Sequence, residues 1–410
     1  MLKQIKEKEL LLIINNYIEK SEFYKKKYQK VSFSDFSSIP YLKKDEILED
    51  QEKHPPYGNN LCCNKDDIIR LHRTSGTTNK PLLIALTKND LDIVTHIGGE
   101  LFKLTGMNST DTVFNCLNYN MWMGGLTDHL SMEKTGANVI PFGVGHTDSL
   151  IELMLNLNSS SIHCTPSYLK IIKEKLSMLN LKPKDLNLKK GFFGAEGGLQ
   201  NKKFRENIEN NWGLEAFNAN YGLSEVISMF GSECRNKDGL HFGAQSVLYV
   251  ELIDHNLNSL KIKDGSKGEL VVTHLKKESQ PLIRYRTGDI IEIISLDKCD
   301  CKFKGFKFKI TGRVDDMLVI NGVNFFPESI RTILSEYSEL SGIYKLITTK
   351  KEPIEKIKLI VGIHDMELYN TKLEEQLFKN IKSHLNISIE LEFTDKIKSN
   401  GNKIKILERL

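Results

Sequence analysis

The sequence has no apolar run near the roughly 20 residues a helix needs to cross a bilayer, which excludes a helical membrane span. Its start, MLKQIKEKELLLIINNYIEK, carries a brief apolar run broken by Lys and Glu, with no small-residue cleavage site behind it. It reads as an amphipathic helix and not as a signal peptide. No low-complexity tract argues for disorder, and no internal repeat argues for a solenoid. A dominant charge sign is missing too: 57 basic residues face 53 acidic ones for a formal net charge of +4, and the lysines lie scattered among acidic neighbours. Nucleic acid is therefore not the implied partner. Cysteine is sparse and odd in number, seven in 410 residues. Without a secretory leader, that points to reduced thiols or metal ligands in a cytoplasmic protein.

What is present is ordinary globular material, 40% hydrophobic and 27% charged, in a chain too long for one core. Helical segments open it. DDIIRLH and LLIALT then read as two strands joined by a polar turn, RTSGTTNKP. From KNDLDIV to FFGAE, helix-length segments alternate with short apolar strands (DTVFNCL, ANVIPF, SSIHCT, LKKGFFGAE), which implies right-handed crossovers and a buried parallel sheet. From about Phe242 to Ile294 the strands follow one another across turns at Asp264-Gly265 and Lys267-Gly268, an antiparallel segment. The remainder carries strands and helices enough for a small domain of its own. The expected fold is α/β: a large N-terminal domain, residues 1–312, with mostly parallel sheets flanked by helices plus a smaller antiparallel β region, and a small α+β domain, residues 313–410.

Ser75, Gly76, Thr77, Thr78 and Lys80 crowd one loop. Hydroxyls and exposed backbone N–H groups there suit phosphate oxygens, although the loop does not match GxxxxGK[ST] and taken alone is also compatible with a solvated turn. Four further segments give it company: FFGAEGG, NANYGLSEV, LIRYRTGD and ITGRVDDMLVINGVNFFP. Each alone has an innocent explanation, such as a plain turn at Gly197-Gly198 or a surface ion pair between Arg313 and Asp315.

In this order, together with SEFYKKKY, SIPYLKKDEI and TPSYL, these segments resemble the phenylacetate-CoA ligase family of adenylate-forming enzymes over nearly the whole chain. The resemblance implies an ATP- and magnesium-dependent ligase that activates a small-molecule carboxylic acid as its adenylate and passes it to the thiol of coenzyme A. Ser75, Gly76, Thr77, Thr78 and Lys80 would line the phosphates. Gly194, Ala195 and Glu196 would flank adenine and the acyl pocket, and Asn220, Tyr221, Gly222 and Ser224 the base. Glu225 would hold magnesium, an oxygen-seeking cation. Asp289 would accept from the ribose hydroxyls, with Arg313 supporting ribose and phosphate. Thr77, Glu225 and Lys403 form the implied catalytic set, and the small domain would swing at the hinge residue Asp315, turning Asn321 to Asn324 toward a thiol tunnel.

Two departures stand out. Asn79 replaces the family's glycine before the loop lysine, and Asn tolerates the left-handed conformation such a turn needs. The family's catalytic lysine follows a glycine directly, whereas here Gly401 is followed by Asn402 and then Lys403, so Lys403 is either the shifted adenylation lysine or a solvated lysine of the tail. Cys234, His241, Cys299 and Cys301, which match positions in some relatives, would close a structural zinc site; unligated thiols are the alternative. Leu117, Trp122, Gly124, Gly125, Asp128 and His129 occupy the place of the acyl pocket. Trp122 also reads as core. Asp128 reads as a surface carboxylate or as a partner for a substrate amino group. A carrier-protein phosphopantetheine is the alternative acceptor, a degenerate nucleotide-binding protein the non-enzyme reading, and a homodimer stays open.

Overall fold

The computed structural model describes residues 5–29, 35–74, 81–157, 159–314, 318–320, 323–325, 327, 329–348, 357–385, 387, 389–397 and 406–409. Helices α1 (Glu7–Lys20), α2 (Glu22–Lys27) and α3 (Lys44–Lys53) open the chain. Leu10, Ile14 and Tyr17 recur at helical spacing and give α1 its buried face. The Tyr17 hydroxyl accepts from the backbone N–H of Lys277, and Tyr24 donates to the carbonyl of Pro281 at 2.6 Å. The amphipathic start is thereby fastened to a segment far along the chain.

Strands β1 (Ile68–Arg73) and β2 (Leu83–Thr87) pair antiparallel, with Arg73 opposite Leu83, while residues 75–80 of the polar stretch read as a turn lie outside the described residues. Thr87 then starts α4 (Lys88–Leu104) through a reciprocal cap with Asp90. The expected alternation follows: β3 (Thr112–Asn115), α5 (Met123–Glu133), β4 (Asn138–Ile140), α6 (Thr147–Asn156), β5 (Ser161–Cys164), α7 (Tyr168–Met178), β6 (Lys190–Gly194), α8 (Lys202–Trp212) and β7 (Glu215–Leu223). Neighbouring strands in the order β4-β3-β5-β6-β7 are all parallel. Val113, Ile162, Phe192 and Phe193 are fully buried, as befits strands covered on both faces.

Beyond β7 the ladder continues without a break through β8 (Ile227–Glu233), β9 (Leu240–Phe242), β10 (Leu248–Ile253), β11 (Ser259–Leu260), β12 (Lys267–His274), β13 (Tyr285–Ser295) and β14 (Lys307–Arg313). The order is β7-β8-β9-β14-β13-β12-β10-β11, and every pair is antiparallel. The antiparallel region is thus wider than Phe242 to Ile294 and is fused to the parallel strands in one twelve-stranded sheet. The fusion is made by β7, whose parallel neighbour is β6 and whose antiparallel neighbour is β8.

A separate core is built from β15 (Leu318–Ile320), β16 (Val323–Phe325), α9 (Ser329–Leu334), β17 (Leu340–Thr348), β18 (Ile357–Ile363), α10 (Thr371–Leu385), β19 (Glu390–Thr394) and β20 (Leu407–Arg409). Its four-stranded sheet has the order β19-β18-β17-β20, and Leu373, Leu377 and Ile381 of α10 are buried in its core. Among the described residues no helix is long and apolar enough to cross a membrane.

His274, at the end of β12, ties the sheet to the turn after β7. Its Nδ1 accepts from the N–H of Leu282 at 3.0 Å, so Nε2 carries the hydrogen and donates to the carbonyl of Val226 at 3.1 Å. Both nitrogens are satisfied only in the neutral ring, and burial pulls the pKa down from 6.5 to about 3. Below pH 6.5 the unfolded chain takes up a proton that the folded ring refuses until about pH 3, so stability is lost as pH falls through that window. In urea unfolding between pH 6 and 4, His274→Gln should flatten the dependence by roughly 1 kcal/mol per pH unit. An unchanged slope would refute this account of the ring.

Candidate active site

The described residues of the candidate site gather where β5, β6 and β7 end, the edge at which open α/β sheets bind ligands. Ser75, Gly76, Thr77, Thr78 and Lys80 lie outside the described residues, but both ends of their segment are anchored. Thr74 and Leu82 bond twice, N–H to carbonyl at 2.9 Å and N–H to hydroxyl at 3.0 Å. The N–H of Arg73 donates to the carbonyl of Met121 at 2.9 Å, setting the hairpin against the segment that precedes α5.

Tyr221, Asp289 and Arg313, which come from three distant parts of the chain, meet. Tyr221 donates its hydroxyl to Asp289 Oδ2 at 2.8 Å, and Arg313 pairs with Asp289 Oδ1. Asp289 and Arg313 are register partners on β13 and β14, so strand pairing alone brings them together. Burial pushes the Asp289 carboxyl up, while the Arg313 guanidinium opposes the shift. The Tyr221 ring is held edge-on by Phe230 at 4.8 Å and by Phe308 at 5.5 Å. Glu225 is largely buried, and its Oε1 receives the Tyr285 hydroxyl at 2.8 Å and the Lys44 ammonium at 3.1 Å. Lys44 and Tyr285 went unread in the sequence. Both sit inside quoted segments, SIPYLKKDEI and LIRYRTGD, and proximity to an acidic partner was the missing signal.

Gly194 ends β6 against Asn220: a Cβ there would come within 2.7 Å of that side chain, so only glycine allows the approach. Ala195 follows at φ 64°, a left-handed conformation uncommon without glycine and often found where ligands bind. Glu196 accepts from the Ser167 hydroxyl at 2.8 Å and the Ser167 N–H at 3.1 Å, which joins FFGAEGG to TPSYL. Gly222 passes under the turn to β8, where a Cβ would lie 2.1 Å from the Ser228 carbonyl oxygen, and Ser224 is in that turn.

In the expected acyl region, Leu117 is buried and the half-buried Trp122 lies over Gly124, whose Cβ would meet its ring at 2.6 Å. Gly125 packs on the Asn118 carbonyl. His129 joins Tyr119 at 3.0 Å and Glu133 at 3.2 Å. The surface reading of Asp128 is overturned: it is 0% exposed, one helical turn beyond Gly124 on the packed face of α5. It meets His163 Nε2 at 3.1 Å and Asn220 Nδ2 at 2.5 Å. Burial raises its carboxyl, opposed by the histidine. Asp315 and Lys403 lie outside the described residues, as do Asn321 and Gly322.

Cys234, His241, Cys299 and Cys301 converge, their ligand atoms all within 4.8 Å of one another. Cys234 Sγ is 4.0 Å from Cys299 Sγ, and Cys301 Sγ is 3.5 Å from His241 Nε2. Cys234 follows β8, His241 lies on β9, and the C-x-C pair precedes β14, so adjacent strands assemble the set.

Residues 322–407 match the family model of the AMP-binding enzyme C-terminal domain. The chain is 31% identical over 364 residues to phenylacetate-coenzyme A ligase of Pseudomonas putida, covering 87% of this chain and 80% of that one. It is 30% identical over 389 residues to phenylacetate-coenzyme A ligase of Escherichia coli strain K12, covering 91% and 86%. Among solved structures, 2-hydroxyisobutyryl-CoA ligase in the postadenylation state with 2-HIB-AMP superposes with a TM-score of 0.88 at 23% identity, over 98% of this chain and 88% of that one. The match in sequence over most of the chain, to enzymes of one kind at 30% identity or more, shows the family: the protein belongs to the phenylacetate-CoA ligase family of adenylate-forming enzymes.

Proposed function

We propose that the protein is an ATP-dependent acid–thiol ligase that activates an aryl, arylacetic or similar carboxylic acid as acyl-AMP and transfers the acyl group to coenzyme A. The observation that carries this reading is the convergence of Tyr221, Asp289, Arg313 and Glu225 at one edge of the sheet of a chain of this family. A substrate carboxylate oxygen attacks the α-phosphorus of ATP, and pyrophosphate leaves. The coenzyme A thiolate then attacks the acyl carbon, and AMP leaves. Negative charge builds between two anions in the first step, so cations and donors set beforehand contribute most.

Asp289 takes the ribose hydroxyls and Arg313, already on that carboxylate, reaches ribose and phosphate. Tyr221 lies against the base. Glu225 offers the oxygen ligand that magnesium prefers, with Lys44 and Tyr285 fixing the carboxylate. The loop from Ser75 to Lys80 supplies phosphate donors and Lys403 the adenylation cation. Trp122 and the two glycines at the start of α5 suit a flat apolar acid.

The smaller domain swings as one body about the segment from Arg313 to Asp316, the hinge that the family resemblance implies. A pyrophosphate-exchange screen over aryl, arylacetic, fatty and amino acids tests activation. Exchange with at least one acid is expected, and none across the screen sinks the reading. Lys403→Ala should slow adenylate formation by roughly 10²-fold or more while sparing thioester formation from supplied adenylate. Equal rates would remove Lys403 from the chemistry.

The four-residue thiol and imidazole cluster fits zinc. Tetrahedral bonds of roughly 2.1–2.3 Å put ligand atoms about 3.4–3.8 Å apart, close to the separations of 3.5 and 4.0 Å here. Zinc held by these four residues would serve structure, tying together β8, β9 and the segment before β14. Elemental analysis of purified protein should give about one zinc per chain, with loss of metal and a lowered melting temperature in Cys301→Ser. Metal-free wild-type protein would dismiss the site.

A further inference from the structure

Asp128 on α5, His163 on β5 and Asn220 on β7 form a hydrogen-bonded set beneath the candidate site. Asp128 and His163 are both 0% exposed, whereas Asn220 is only half-buried. His163 Nδ1 lies 2.8 Å from the carbonyl oxygen of Phe192, an atom with no hydrogen to give, so Nδ1 carries one. The other nitrogen faces Asp128 Oδ2 across 3.1 Å with a single shared proton between them. Whether that proton rests on nitrogen or on oxygen, Oδ2 has none to offer Asn220 and must accept from its Nδ2, 2.5 Å away. The Asn220 amide is therefore fixed in one of its two orientations: nitrogen inward, oxygen outward. Asp128 Oδ1 stays buried without a partner among the described residues, which packing for stability alone does not favour.

We propose that Asp128 and His163 are positioning residues that lock the Asn220 amide with its oxygen toward the ligand, so that this position accepts a hydrogen bond and selects a ligand bearing an N–H or O–H donor. The inference rests on the ligase reading. That donor has two sources, the 6-amino group of adenine or an amino or hydroxyl substituent on the acid.

Asp128→Asn reverses the lock. Its new amide N–H would donate to His163 Nε2 and turn the same nitrogen toward Asn220, which must then rotate its oxygen inward and present N–H groups to the ligand. The test is pyrophosphate exchange by full-length wild-type and D128N protein with ATP against inosine triphosphate, and with amino- or hydroxy-substituted aryl acids against the unsubstituted acid. In one of the two comparisons the wild-type preference for the donor-bearing ligand should fall by about 10-fold or more, the scale of one exchanged hydrogen bond. A fall with the nucleotides assigns the donor to adenine, and a fall with the acids assigns it to the substrate.

His163→Gln, which can donate to Asp128 Oδ2, should keep the wild-type preference. If D128N does not fold, Asp128→Ala frees the amide and should level the same preference. Ratios that stay put while both rates drop together would mark the set as merely structural and overturn the proposal. If wild-type protein exchanges with no acid, the ligase reading fails instead. Calorimetric titration with ATP and inosine triphosphate then still reads the lock in wild-type and variant proteins, and equal nucleotide preference in the two overturns it.

Discussion

The alternation of side chains along β7 is the constraint on which the site depends. Successive residues of a strand point to opposite faces, and Asn220 and Tyr221 are successive. Asn220 turns to α5 and β5, where Asp128 and His163 hold it, and Tyr221 turns to Asp289 and Phe308 on the antiparallel side. A slip of one residue would exchange the two and dissolve both networks. The register is guarded on each flank, by the close approach of Gly194 to Asn220 and by that of Gly222 to the Ser228 carbonyl. A strand that changes from parallel to antiparallel pairing thus also divides the site into two polar halves.

Much of this was legible in the chain because its alternation of helix and strand is regular, and each strand from β3 to β6 is a short apolar run. The strands that escaped notice are instructive. NANYGL contains two asparagines and a glycine, residues poor in strand propensity, and it becomes β7 only because β6 and β8 pair with it. The tail strand β20 has three residues and takes its place from β17 alone. Tyr221, Asp289 and Arg313 were named from their motifs, and so were the four residues of the cysteine and histidine cluster, although nothing in their spacing fixed the convergence seen here.

Single polar residues were harder. Asp128 looked like surface because aspartate usually is, and only its position one turn after Gly124 hinted at the packed face of α5. His163 stood unremarked in SSIHCT, yet a histidine in a strand buried on both faces has to find a polar partner. Burial of that pair is a tertiary fact, written in no local pattern. Lys44 is similar: it belongs to a helix near the start of the chain and reaches Glu225 only once the chain has closed on itself.

The contact between the two cores has a character of its own. Phe204 on α8 receives the Arg331 guanidinium over its ring at 5.8 Å and backs onto Gly198 and Gly342. Among the described residues no helix or strand of the smaller core packs broadly on one of the larger. Breaking this one contact exposes an aromatic ring and a cation that water readily solvates, a small free-energy penalty beside that of opening either core. The smaller body rests on its neighbour as a latch and not as a weld, and re-docking at a new angle requires no dismantling of either interior.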